Sequence, residues 1–330
     1  MAFPTLQTTS LDTLISTTLQ NYGLGMVDQI IKNVPLAHYM MDEHARKEQG
    51  GTRIYIPLLY GFNSTVTAYN MSDYIDVSPQ EAVTAAQYKW ALIVGSITLF
   101  GEEEAANSGS AVITSLAKAK IKQLELSLSR FINQIGYGDG TGSFGANPDG
   151  LANLVFQTTA PANPPGGAVG GVDATVFSFW RNSANLSPGA FAVNGPHGSG
   201  TPDNMLRMYN LTSDGGMRVS LILSDAGIFE SYQTNASTGW RTLDTSKAEL
   251  GFDNIVYKGT PWAWDRDCPV ATQYFLNTEF IYSVVDPQRF FQPTDWMPTI
   301  NQDGKVMRIH LRYNNVCSNR MMQGVIQGWS

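Results

Sequence analysis

Between Glu102 and Ile135 the apolar residues Ala117, Ile121, Leu124, Leu128, Phe131 and Ile135 recur at alternating steps of four and three. That spacing draws one narrow stripe along an α-helix. The stretch opens on Glu102, Glu103 and Glu104, where a helix N-terminus presents unpaired N–H groups and partial positive charge. It stops at Gly136-Tyr137-Gly138-Asp139-Gly140, which cannot continue a helix cheaply. At about 1.5 Å per residue such a helix runs for roughly 50 Å. A compact domain has no need of that length, so the expected role is a strut. Asn107, Ser108 and Gly109 are the residues that would shorten it.

The strut is preceded by a β-rich section. Gly50-Gly51 opens the run Thr52 to Leu58, residues 60–79 are polar and turn-rich, and a second β-rich run covers residues 83–100. Two strands that leave and return around a polar tip form a long hairpin. A two-stranded ribbon is marginal in water by itself, so the hairpin is expected to pack on something outside its own subunit. On that reading, removing residues 55–85 leaves a folded subunit. Before the hairpin, residues 1–20 read as an extended or weakly helical arm, and Val27, Ile30, Ile31 and Val34 suit a short helix ending near Pro35.

After the strut the chain alternates short elements. Residues 158–171 form a Pro/Gly/Ala-rich loop expected to be exposed. A helix is predicted over 201–211 with Pro202 in its first turn. A strand over 219–223 is followed by a helix capped by Ser224 or Asp225. Strands are predicted over 254–257, 260–264, 273–277, 280–284 and 296–312. Sequence-local helices among these strands give an α+β body, not a βαβαβ nucleotide fold. No fixed-period repeat is present.

The 330 residues suffice for two globular bodies, and 43% hydrophobic content supports a real core. Charged residues make up only 15%, below the roughly 25% usual for soluble domains. A surface so poor in charge is expected to be covered, by copies of the same chain. The net charge of −7, without an Arg-rich tail, excludes a phosphate-gripping nucleic-acid binder. The longest apolar run, residues 90–100, is too short for the ~20 residues of a membrane helix, and no secretory signal opens the sequence. Cys268 and Cys317 lie far apart and read as free thiols.

The chemical motifs are weak. Gly140-Thr141-Gly142-Ser143-Phe144-Gly145 fits a dinucleotide fingerprint in letters, but it follows a helix and runs into Asn147-Pro148, so it reads as a helix stop. His38, His44, His197 and His310 have no metal spacing. No nucleophile elbow occurs. The pairs Asp73/Asp76 and Asp265/Asp267 and the cluster at Glu102 could serve a glycosidase, but carboxylates at helix starts and turns are commonly caps. No enzyme, cofactor or metal is expected. Arg53, Asp73, Asp76, Glu102, Glu103 and Glu104 are expected to form charge pairs between subunits.

The order of parts, with Gly138-Asp139-Gly140-Thr141 and Gly150-Leu151 after the helix, resembles the major capsid proteins of tailed bacteriophages, of the Hong Kong 97 type. Leu221-Ile222-Leu223-Ser224, Tyr257-Lys258-Gly259-Thr260-Pro261 with Asp265 and Pro269, Tyr274-Phe275-Leu276-Asn277, and Asn319-Arg320 with Gly324 and Ile326 extend the resemblance over nearly the whole chain. It implies an arm at 1–45, a hairpin (E-loop) region at 46–100, a spine helix and part of a peripheral domain at 101–154, an axial domain at 155–290, and returning peripheral strands at 291–330. It also implies hexamers and pentamers closing an icosahedral virion shell around double-stranded DNA in the bacterial cytoplasm. The implied partners are a portal protein and a decoration protein, with no membrane; no long charged helical leader stands before residue 45, so a separate scaffolding protein, or a leader already removed, is expected. Some members join neighbours through an E-loop lysine, whereas this chain has none between Arg53 and Lys89, so its cohesion is expected to be non-covalent. An encapsulin-type compartment and a soluble β-rich glycoside hydrolase are the competing readings.

Overall fold

The computed structural model describes residues 35–43, 45–106, 110–157, 162–165, 167–189, 201–235, 242–243, 255–300 and 302–329. The arm before Pro35, the helix breakers at 107–109, His44 and His197 lie outside the described residues.

The chain enters through a helical turn, Pro35–Ala37, continued as a π-helical segment, His38–Glu43. The helix expected to end near Pro35 falls on residues that lie outside the described ones, and the described chain is helical from Pro35 to Glu43. Strand β1 (Arg46–Lys47) follows, then β2 (Arg53–Leu59), β3 (Val83–Lys89) and β4 (Ala91–Phe100). A helix over Gly101–Ala106 and the long helix Ser110–Gly136 come next. The remaining strands are β5 (Ser183–Gly189), β6 (Leu221–Ser224), β7 (Thr242–Leu243), β8 (Ile255–Tyr257), β9 (Thr260–Trp264), β10 (Thr272–Leu276), β11 (Ile281–Val285), β12 (Gln292–Pro293), β13 (Met297–Pro298), β14 (Gly304–Cys317) and β15 (Gly324–Trp329). Helices Thr201–Leu211 and Ala226–Asn235 sit at the predicted places, the second begun by the Asp225 carbonyl accepting from the Phe229 amide at 3.2 Å.

Two sheets organise the body. In the six-stranded sheet β14 is central, with β4 along one side and β11, β12 and β13 along the other, and β1 beyond β11. The seven-stranded sheet runs β5-β15-β10-β6-β9-β8-β7 and is mixed, with β15–β5 and β6–β9 parallel. The helices Thr201–Leu211 and Ala226–Asn235 cover one face of this sheet through Met205, Met208, Ile228 and Phe229 against Trp262, Phe275 and Ile326. The other face shares a core with β11 and the end of β14, through Leu223, Tyr274, Leu276, Ile281, Val316 and Cys317.

The long helix packs on the six-stranded sheet through Leu124 and Leu128 of the expected stripe, and departs from that stripe towards its C-terminal end. Leu128 and Ile132 are buried, while Phe131 is 42% exposed. A four-step row, Leu124, Leu128, Ile132 and Gly136, faces inward. Its contacts explain the choice. A side chain at Gly95 of β4 would place its Cβ 2.6 Å from Leu124 Cδ1, and one at Gly136 would lie 2.9 Å from Leu36 Cδ2. The missing side chains let the helix approach the strand at one end and receive the entering chain at the other.

A second correction concerns the β-rich run at 83–100. It is two strands. β3 pairs with β2, while β4 pairs with β14 over ten residue pairs from Ala91↔Tyr313 to Phe100↔Gly304. The hairpin proper therefore ends at Lys89. The expected exposed loop at 158–171 is also buried at its end, because Val169 is 1% exposed and its carbonyl accepts from Trp180 Nε1 at 2.8 Å.

Candidate interface: a ribbon bolted at its base and bare at its tip

Strands β2 and β3 pair antiparallel from Arg53↔Lys89 to Leu59↔Val83. Successive side chains of a strand alternate faces. Ile54, Ile56, Leu58, Ala86 and Tyr88 are buried on one face, in the same core as Val169, Val172 and Trp180. The other face leaves Tyr55, Leu59 and Val83 exposed. The ribbon base is thus held by its own subunit, which corrects the expectation that it must pack outside. A deletion of 55–85 would remove core residues.

Two features fix this base. The Tyr88 hydroxyl donates to the Cys317 carbonyl at 2.8 Å and accepts from the Cys317 amide at 3.3 Å, tying β3 to the last rung of β14. Gly170 lies directly beneath, at φ +60°, and a Cβ there would come 2.8 Å from the Ala86 Cβ. Only a residue without a side chain admits the ribbon so closely. Tyr60 closes the ladder with its amide bonded to the Ala82 carbonyl at 2.9 Å, and its ring stacks on Phe179 at 4.8 Å and 13°. That stack fixes the direction in which the chain leaves the body.

Beyond Tyr60 the ribbon is bare. Phe62, Met71 and Tyr74 are fully exposed, and Val66, Ile75 and Val77 are mostly so. Within residues 62–81 the described backbone–backbone hydrogen bonding reduces to the Asp73 amide on the Asn70 carbonyl. A large side chain moved from water to a packed interface is worth about 1.5–3 kcal/mol, so each of these exposed side chains would gain from a surface that covered it. The charge of the tip is one-sided: Asp73, Asp76 and Glu81 are present, and no cation lies between Arg53 and Lys89.

The six expected contact residues are not gathered in one place. Asp73 accepts from the Asn70 amide at 2.7 Å and Asp76 from the Ser78 amide at 2.9 Å, so both shape turns of the tip. The Ser78 backbone bond holds the Asp76 carboxyl below its usual value. Arg53 donates to Gln87 Oε1 at 3.3 Å across the ribbon base. Glu102 is exposed at the helix start. Glu103 is buried, bonded to Lys120 at 2.8 Å and accepting from the Phe100 amide, so its partner is in its own chain. The Glu104 side chain lies outside the described residues.

The other acidic pair holds the body together. Asp265 is 1% exposed and accepts from Asn133 Nδ2 at 3.0 Å, Tyr137 Oη at 2.9 Å and the Asp267 amide at 2.9 Å. The same Asn133 amide reaches Asp267 at 2.9 Å. Burial pushes the Asp265 carboxyl up. This cluster joins the long helix to the turn after β9. A second knot sits at Asp149, whose carboxylate accepts from Asn153 and Asn314 while its carbonyl accepts from Asn315. The next residue, Gly150, lies so close to the helix end that a Cβ would meet the Gly138 carbonyl at 2.3 Å. Arg320, 1% exposed, donates to the Leu154 and Trp180 carbonyls and to Asn182 Oδ1, all within 2.9 Å. Periodicity and motif spacing gave no sign of these roles, since a buried polar residue shows itself only through partners distant in sequence. Both cysteines are buried and free. Among the described residues no group of three His, Cys, Asp or Glu side chains could hold a metal, and no helix is long and apolar enough to cross a membrane.

No protein-family model and no curated protein matches the chain. Solved structures match it in shape. The capsid asymmetric unit of cyanophage A-1(L) is 16% identical with a TM-score of 0.71, over 92% of this chain and 95% of that one. The capsid of the native GTA particle is 10% identical with a TM-score of 0.58, over 96% and 98%. The holo-SrpI encapsulin complex of Synechococcus elongatus PCC 7942 is 8% identical with a TM-score of 0.54, over 95% of each chain.

Proposed function

We propose that this chain, which has the Hong Kong 97-type fold, is the major capsid protein of a tailed bacteriophage. Copies assemble as hexamers and pentamers into an icosahedral shell around double-stranded DNA. The observation that carries the reading is the tip at 62–81: an extended, apolar, acidic segment with its large side chains in water, on a fold otherwise matched by shell-forming proteins. A segment like this is stable only against a second molecule, and a closed shell supplies one to every copy.

In this reading residues 1–45 are the arm, the ribbon within 46–100 is the E-loop, the long helix within 101–154 is the spine, 155–290 form the axial domain, and 291–330 return to the peripheral domain. Arg53, Asp73, Asp76 and Glu102 are offered to neighbours at the surface. Glu103 acts within the subunit, and Glu104 completes the acidic helix start. A scaffolding protein and a portal protein serve assembly, a decoration protein binds the outer shell, and DNA is enclosed without sequence-specific contacts. The protein resides in the virion and assembles in the host cytoplasm. It is a structural protein, with no catalytic role.

The encapsulin likeness supports a second reading, a protein compartment around cargo protein. The higher TM-scores to the phage and GTA capsids favour the first. Electron microscopy of the purified protein, with assay of nuclease-protected nucleic acid, separates them. Shells holding DNA are expected from phage-infected cells. Shells holding only protein favour the compartment, and a small soluble oligomer defeats both.

A further inference from the structure

We propose that the cleft between β1, the turn before β6 and the turn joining β10 to β11 binds a small solute through an oxyanion, a phosphate or carboxylate group held by Arg46 and Arg218. The proposal concerns the single subunit and stands apart from the shell reading.

The cleft has a volume of about 650 Å³, within the range of small-molecule sites. Its walls are fixed by hydrogen bonds. On one side Asp214 and Met217 exchange backbone bonds at 2.9 Å in both directions, closing a two-residue turn with Gly215 at φ +57°. On the other side the buried Asn277 holds the β10–β11 turn. Its side chain accepts from the Glu279 amide at 3.1 Å. Gln323 accepts from the Asn277 amide at 3.0 Å and donates to the Asn277 carbonyl at 3.1 Å. The Thr278 amide donates to Ser220 Oγ at 2.8 Å, which ties the two sides together, and the Ser220 and Thr278 hydroxyls are bonded to each other at 2.8 Å. These hydroxyls are therefore committed to the walls.

The guanidinium groups are not. Arg46 lies over the Tyr282 ring, 3.8 Å from its centroid, and donates to the Glu279 carbonyl at 3.4 Å. The ring and that bond hold the group in place and leave most of its five N–H donors free. The Arg218 side chain has no hydrogen-bond or ion-pair partner among the described residues. Elsewhere Arg312 is paired with Asp286 and Lys120 with Glu103. One carboxylate, Glu279, also borders the cleft, so two cations face one anion in a chain whose net charge is −7. A planar fork of N–H donors matches the paired oxygens of a carboxylate or phosphate. The border of the cleft also includes Gly216, whose φ lies outside the left-handed range and where a Cβ would meet no atom within 4 Å. Neither backbone conformation nor packing requires a glycine there, and what the missing side chain provides is access.

The test is isothermal titration calorimetry on the purified full chain, with inorganic phosphate and citrate as probes and glucose as the uncharged control. Expected is saturable binding of at least one probe, at one per chain, with a melting temperature that rises with probe concentration. Binding of phosphate alone assigns a phosphate group, and binding of citrate alone a carboxylate. Arg218→Gln should weaken binding about tenfold or more with unchanged circular dichroism, because that side chain is exposed and has no partner to lose. Arg46→Lys keeps the charge but loses the fork, and should weaken binding as well. Glu279→Gln should tighten it by removing the repelling carboxylate. Gly216→Leu leaves every charge in place and should obstruct entry. The proposal is overturned if neither probe saturates below about 10 mM, if Arg218→Gln binds as wild type does, or if Gly216→Leu does. None of these outcomes bears on whether the chain forms shells.

Discussion

The Tyr88 hydroxyl uses both its donor and its acceptor on the backbone of one residue, Cys317. Replacing it with Phe leaves a buried amide and carbonyl without that partner, at a cost of about 1–3 kcal/mol. Urea unfolding of Tyr88→Phe should show that loss, and an unchanged midpoint would contradict the role given to the hydroxyl. Asp265 yields a pH signature. Burial raises its carboxyl above the usual 3.8, so the folded chain keeps this proton where the unfolded chain has lost it. The stabilisation from this group is full below 3.8 and is lost as pH rises through the folded value. Asp265→Asn has no such titration, so the stability of wild type relative to the variant should fall as pH rises through that window. A pH-independent difference would show that the carboxyl is not titrating there. Neither residue was legible as a partner in the sequence. Tyr88 reads as one aromatic in a β-run, and Asp265 as one of a pair, because Cys317 and Asn133 are far away along the chain.

At the scale of elements the ribbon is two things joined at Tyr60. Its base belongs to the core, and its tip belongs to whatever covers it. Removing 55–85 would take away Ile56 and Leu58, and truncating buried aliphatic side chains costs about 2–5 kcal/mol each. Removing only 62–81 and closing the gap with a short glycine linker spares every buried rung. That shorter deletion should give circular dichroism and melting like wild type, and no shells under the microscope. Closed shells from it would remove the ribbon from assembly. The hairpin itself was readable from alternating β-rich runs, but its boundary was not. Residues 83–100 form one run in sequence, and only the pairing of β4 with β14 divides it.

For the molecule as a whole, the proposed assembly carries a stability signature, because a partner that binds the folded form and not the unfolded one stabilises by mass action. Assembled particles should therefore unfold at higher temperature than free subunits in scanning calorimetry, with the gap vanishing for the 62–81 deletion. Equal transitions would mean that assembly buries little. The sequence by itself determined the element order, the long helix, the mixed body and the charge-poor surface, because these follow from local periodicity and composition. The helix row that faces inward was decided by the tertiary structure: the glycine gaps at Gly95 and Gly136 admit Leu124 and Leu36, so Ile132 turns in and Phe131 out. The buried polar knots were decided there too. Each depends on which distant residues fill or leave the space beside them, and that information is not carried by neighbours along the chain.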